Sequence, residues 1–160
     1  MSGDRAFARL TFEQAVRKYA DTVTGVCVMR LQNKADAEDC FQNVFAALYF
    51  RSPEFNDEEH LKAWLIRVAI NECKNYIRKN RRIVSLSAVC EQSISFDEDS
   101  ADMSWALLKT PLKYREVLHL YYVLDYPVSE ISKILRLNEN TVKTRLRRGR
   151  EKLKEIYGGE

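Results

Sequence analysis

Apolar residues recur along this chain at three- and four-residue intervals, and no segment alternates convincingly with period two, so the pattern predicts helices throughout. The first helical region opens at Thr11, whose T-x-x-Q spacing to Gln14 makes a capping box, and runs to about Gln32. Phe12, Ala15, Val16, Tyr19, Val23, Val26, Cys27 and Met29 give it apolar surface on more than one side, as a well-buried or interrupted helix requires. Asn33 is placed to cap a second helix, from Ala35 to about Phe50, with Ala37, Cys40, Phe41, Val44, Phe45 and Leu48 turned inward. Pro53 ends it, and the N-x-x-E spacing of Asn56 and Glu59 predicts a third helix to about Arg81. That helix buries Leu61, Leu65, Val68, Cys73 and Ile77.

Periodicity fails between Arg82 and Ala101, where a serine-rich stretch gives way to Asp97, Glu98, Asp99 and Asp102. This reads as a linker, residues 82–102, between a first domain at 1–81 and a second at 103–160. The second domain opens with a short helix from Met103 to Lys109. Thr110 as N-cap and Pro111 at the first helical position are then expected to start a helix to Leu124 that carries Tyr114, Val117, Leu118 and Tyr121 inward. Asp125-Tyr126-Pro127 turns the chain into a helix pair. Ile131, Ile134 and Leu135 form the inner stripe of its first helix; Val142, Leu146, Gly149, Leu153 and Ile156 form that of its second, with Asn138 as the cap between them.

The charges give this last pair its meaning. With the apolar stripe inward, Lys143, Arg145, Arg147, Arg148, Arg150, Lys152 and Lys154 are expected to face outward against Glu151 alone, a like-charged array that repels itself unless an anion neutralises it. A helix-turn-helix presents the first residues of its second helix to the major groove, here Glu139, Asn140, Lys143, Thr144, Arg147 and Arg148. Elsewhere the chemistry is sparse. Cys27, Cys40, Cys73 and Cys90 form no C-x-x-C pair, and His60 and His119 stand alone, so neither a metal site nor a cofactor is expected and no catalytic residue is assigned. Arg67, Asn71, Lys74 and Arg78 line one face of the third helix, with Trp64 at its boundary; Glu38, Asp39, Gln42 and Asn43 line the outer face of the second. Taken alone, each is better read as a solvated surface. With 46% hydrophobic and 31% charged residues in 160, no bilayer-length apolar run and no export signal, the chain is expected to be an all-α, two-domain cytoplasmic protein without membrane insertion.

The order of these pieces resembles the extracytoplasmic-function (ECF) sigma factors of bacterial RNA polymerase over nearly the whole chain. DAEDCFQNVF, Asp36 to Phe45, is similar to the family's helix that grips the clamp helices of the beta-prime subunit, and His60 to Lys79 completes a sigma-two domain. Thr110 to Leu153 resembles sigma-four, with its P-x-x-x-R-E entry and T-V-K-x-R-L-x-R-x-R-x-K-L second helix. The resemblance implies polymerase contacts for Asp36, Asp39, Gln42 and Asn43. It implies minus-ten recognition by Phe55, Trp64, Arg67, Asn71, Lys74 and Arg78, and minus-thirty-five recognition by Asn140, Lys143, Thr144, Arg147 and Arg148. The partners it implies are core polymerase (beta-prime clamp helices and beta flap), promoter DNA and an anti-sigma factor. Departures fall at Thr110, where the family has Leu, at Ser132, where it has Ala, and at Arg136, where it has Gly.

Two other functions fit parts of the pattern. An autonomous helix-turn-helix regulator needs a dimer interface, and no apolar seam is left over for one. A sigma mimic that only occupies an anti-sigma factor has no need of the DNA-facing cations. A reaction of its own is the least supported.

Overall fold

The computed structural model describes residues 7–51, 53–84 and 105–157, the side chains of 81–84 excepted. These residues are helical apart from turns and one isolated antiparallel bridge. They form two compact units, one on each side of segment 85–104. The linker expected at 82–102 and Cys90 therefore lie outside the described residues, except that 82–84 are the last residues of the third helix.

In the first unit, α1 (Phe12–Leu31), α2 (Lys34–Arg51) and α3 (Glu58–Val84) pack on one another pairwise. The Thr11 capping box closes in both directions: Gln14 N donates to Thr11 Oγ1 at 3.1 Å, and Thr11 N donates to Gln14 Oε1 at 2.9 Å. Asn33 caps α2 through Asp36 N at 3.1 Å. The third helix starts one residue later than its N-x-x-E spacing suggests. Asp57, not Asn56, accepts from His60 N at 2.8 Å, because only a residue three before the acceptor-seeking amide can reach it. Leu61, Leu65, Ile66, Ala69 and Cys73 are fully buried, whereas Ile77 is only half-buried.

A feature with no periodic signal completes this core. Phe7 and Leu10 exchange backbone hydrogen bonds of 2.7 and 2.9 Å across a two-residue turn, with Ala8 and Arg9 both at positive φ (51° and 70°). The turn folds Phe7 inward until it is 1% exposed, its ring 6.2 Å from that of Phe12.

The second unit begins with helical residues 105–109, followed by α4 (Leu112–Leu118), a π-helical turn (His119–Val123), α5 (Val128–Leu135) and α6 (Glu139–Tyr157). Thr110 does not cap α4. Its hydroxyl is buried and donates back to Ala106 O at 2.9 Å, and Arg115 Nη1 donates to Leu108 O at 2.9 Å, so both side chains finish the preceding helix. Pro111 stands at the N-cap instead, with no side-chain bond. Beyond Leu118 the expected register is lost, because Leu124 N reaches back five residues to His119 O at 3.1 Å. His119 and Leu120 are buried, while Tyr121, expected inside, is exposed with Tyr122 and Val123.

The turn between α5 and α6 holds the residue that departs from the family pattern under strain. Arg136 adopts φ 57°, ψ 44°, the left-handed region that penalises a Cβ. Arg136→Gly should raise the stability of the second unit by about 0.5–1 kcal/mol, the strain relieved less the entropy cost of glycine. Calorimetric unfolding of the full chain measures this, and a fall in its midpoint would mean that the arginine side chain makes contacts outweighing the strain.

Candidate nucleic-acid interface

The inner stripe of α6 decides what its outer face can be. Val142, Leu146 and Gly149 are buried against α4, and Leu153 and Ile156 are half-buried. At Gly149 the two helices approach so closely that a Cβ would sit 3.1 Å from Leu118 Cδ1 and 3.2 Å from Tyr114 Cβ. Asn138 Oδ1 accepts from Thr141 N at 2.7 Å, holding the first turn, and the Ser132 hydroxyl donates to Leu137 O to tie the turn to α5.

With that face pinned, Asn140, Lys143, Arg147 and Arg148 are exposed and Thr144 is half-exposed on the opposite side. Arg150, Lys152 and Lys154 continue the exposed array. Three cations have protein partners, one of them Lys152, whose Nζ lies 3.6 Å from Glu155 of the same helix. Arg145, expected to face outward, is half-buried and pairs with Glu116 of α4 at 3.6 Å, so it braces the helix. Arg150 Nη1 donates to the Tyr122 hydroxyl at 3.2 Å. Beside the start of α6 a cleft of about 410 Å³ is lined by Lys113, Tyr114, Asn140, Thr144, Arg145 and Arg148, among others.

On the first unit, Asn71, Lys74 and Arg78 are exposed along α3, and Arg78 Nη2 donates to Asn75 Oδ1 at 3.2 Å. Arg67 is set deeper: it is half-buried, and its Nε finds no acceptor among the described residues. Phe55 precedes α3 and is half-buried, its ring edge-on to His60 at 5.3 Å and to Trp64 at 5.7 Å. The ring is thus held at the surface by its neighbours, next to the helix that carries the basic line.

The outer face of α2 divides. Asp39, Gln42 and Asn43 are exposed, but Asp36 is half-buried and accepts a hydrogen bond from the Tyr76 hydroxyl of α3. Burial, and then that bond, push the Tyr76 phenol up to about 12. Of the residues grouped on α2 by sequence, Asp36 therefore joins two helices while the other three are exposed.

Two family models match the chain: sigma-70 region 2 over residues 15–83, and sigma-70 region 4 over 106–153. The ECF RNA polymerase sigma factor SigW of Bacillus subtilis is 31% identical over 163 residues, covering 90% of this chain and 87% of that protein. The chain belongs to the ECF sigma factors. SigM of Bacillus subtilis is 27% identical, with 92% of this chain and 96% of that protein covered. Two solved structures share the fold. The sigma factor RpoE in complex with the anti-sigma factor NepR, from Bartonella quintana, superposes with a TM-score of 0.78 at 22% identity, over 93% of this chain and 98% of that one. CnrH in complex with the cytosolic domain of CnrY gives 0.67 at 21%, over 93% and 88%.

As a sigma factor the protein works with core RNA polymerase and promoter DNA in promoter-specific transcription initiation and is not an enzyme. No helix among its described residues is long and apolar enough to cross a membrane. The thiols of this sigma factor also find their place. Cys27, Cys40 and Cys73, one from each helix of the first unit, are buried and free of disulfides. The Cys73 thiol is held far above the ordinary range, first by its hydrogen bond to Cys27 and then by burial; burial chiefly lifts Cys40 to about 12. Thiols this reluctant to ionise are core packing, as their apolar sequence positions implied.

The bracing pair of Arg145 and Glu116, the Tyr122 tether and the placement of Lys113 beside α6 escaped the sequence reading. Each brings together residues from helices far apart in the chain, beyond the reach of helical periodicity.

Proposed function

We propose that α6 reads the minus-thirty-five element, with Asn140, Lys143, Thr144, Arg147 and Arg148 toward base edges and Lys152 and Lys154 on phosphates. The observation that carries this is the burial of Val142, Leu146 and Gly149, which leaves those side chains on the opposite face of a capped, braced helix. The first unit reads the minus-ten element. Phe55, propped by His60 and Trp64, offers its ring to an unstacked base, while Asn71, Lys74 and Arg78 follow the strand along α3. Arg67 reaches that strand only through its terminal nitrogens, its Nε being buried. Asp39, Gln42 and Asn43 meet the beta-prime clamp helices, with Asp36 supporting them from behind through Tyr76, and the second unit meets the beta flap. An anti-sigma factor is a further partner, as NepR is for the RpoE of similar fold. Action beside core polymerase puts the protein in the cytoplasm.

The test is holoenzyme activity on a promoter library randomised across the minus-thirty-five element. A bidentate arginine–guanine contact discriminates by about 1–3 kcal/mol, whereas a phosphate contact has no base preference. Arg147→Ala or Arg148→Ala should relax the preference at particular positions. Lys152→Ala should weaken activity on every sequence alike. A reshaped preference in Lys152→Ala, with both arginine variants unchanged, would mean that α6 enters the groove the other way round.

A further inference from the structure

The Phe55 ring stands on the short loop before α3, and among the described residues no backbone group of Glu54, Phe55 or Asn56 hydrogen-bonds to another backbone group. A side chain holds this loop instead. His60, in the first turn of α3, has its own amide capped by Asp57 Oδ1 at 2.8 Å, and its Nδ1 accepts from Asn56 N at 3.2 Å. The exchange resembles a capping box, in which a glutamate at this place reaches back to the amide of the capping residue. The imidazole reaches one residue further, to the amide next to Phe55, and its ring lies edge-on to that of Phe55 at 5.3 Å. An accepting Nδ1 carries no proton, so the ring bears its N–H at Nε2. His60 is exposed, so burial in the core does not account for this arrangement. Trp64 also meets the Phe55 ring, at 5.7 Å, but an indole has a donor and no acceptor and cannot take the loop amide.

We propose that His60 is a positioning residue for base capture: by holding the Asn56 amide it fixes the loop so that the Phe55 ring is already presented to the unstacked base of the minus-ten element. The inference rests on the reading of Phe55 given above and adds to it a residue that acts through that ring. A loop that must be ordered during binding subtracts the cost of ordering from the stacking it gains, and a loop ordered beforehand does not. The histidine supplies that order from a rigid helix, through one acceptor and one ring edge, to the two residues that define where the Phe55 ring sits.

The experiment measures binding of the full chain with core polymerase to a single-stranded oligonucleotide of the minus-ten element from a promoter it transcribes, intact or with one abasic site at each position in turn. Wild type should lose affinity at the position whose base Phe55 captures. His60→Phe keeps an aromatic edge beside Phe55 and removes the acceptor. It should bind the intact strand about 3- to 10-fold more weakly, the range of one hydrogen bond, and the strand abasic at that position as well as wild type does. His60→Asn, whose Oδ1 stands where Nδ1 does, should stay within about twofold of wild type on both strands. The proposal is overturned if His60→Phe matches wild type on the intact strand, if its loss persists on the abasic strand, or if His60→Asn is as weak as His60→Phe. Phe55→Ala on the same strands tells the two readings apart. A loss confined to the captured base leaves the role of Phe55 standing without His60, and no loss removes both.

Discussion

Asp39→Ala combined with Gln42→Ala should abolish binding to core polymerase while leaving the fold intact. Both side chains are exposed on α2 and contribute nothing to the apolar stripe of Ala37, Cys40, Val44 and Leu48 beneath them. Exposed substitutions of this kind change stability by no more than about 0.5 kcal/mol. Truncating a residue central to an interface costs roughly 2 kcal/mol, so the pair should weaken the complex by about three orders of magnitude. Asp36→Ala should behave differently. It removes the acceptor of the Tyr76 hydroxyl and should lower the stability of the first unit by about 0.5–1.5 kcal/mol. Titration of labelled protein against purified core, with far-UV dichroism of each variant beside it, separates the two behaviours. Core affinity undiminished in the double variant would remove α2 from the polymerase interface.

Phe7→Ala should be the most destabilising single change in the N-terminal turn. The ring is 1% exposed and lies against Phe12, which itself stacks edge-on with Tyr49 at 5.2 Å, so its loss leaves a cavity between the start of α1 and the end of α2. Truncation of a buried phenylalanine costs about 3–5 kcal/mol. Trp64 belongs to the first unit and Trp105 to the second. Urea unfolding of a Trp105→Phe background, followed by Trp64 emission, therefore reports the first unit alone. A loss below about 1 kcal/mol would mean that the turn is an appendage of the helices and not part of their core.

What the sequence by itself determined is whatever depends on residues within one helical turn of each other. The Thr11–Gln14 box and the Asn138 cap join side chains to amides three positions away, and the stripe Val142-Leu146-Gly149 repeats with the helix. Local geometry makes such relations readable before any packing is known. The same rule explains the near misses at helix starts. Asn56 and Asp57 are both sound caps, as Thr110 and Pro111 are both sound openings, and only the path of the incoming chain selects between them. The left-handed strain at Arg136 was legible too, as a departure from a turn that elsewhere uses glycine.

Tertiary structure decided the rest. Phe7 belongs to the core because a turn with two residues at positive φ folds it back, and neither Ala8 nor Arg9 advertises that conformation. Tyr121 leaves the core where a π-helical turn breaks a register that a 3.6-residue period cannot cross. Asp36 and Asp39 look alike in sequence, yet one is taken by Tyr76, forty residues on, and the other is left to solvent. Arg145 and Arg148 differ in the same way, Glu116 claiming the first and the open cleft keeping the second. Charge alone places a side chain on a helix; whether it braces the protein or stays available to a partner depends on the helix packed across from it.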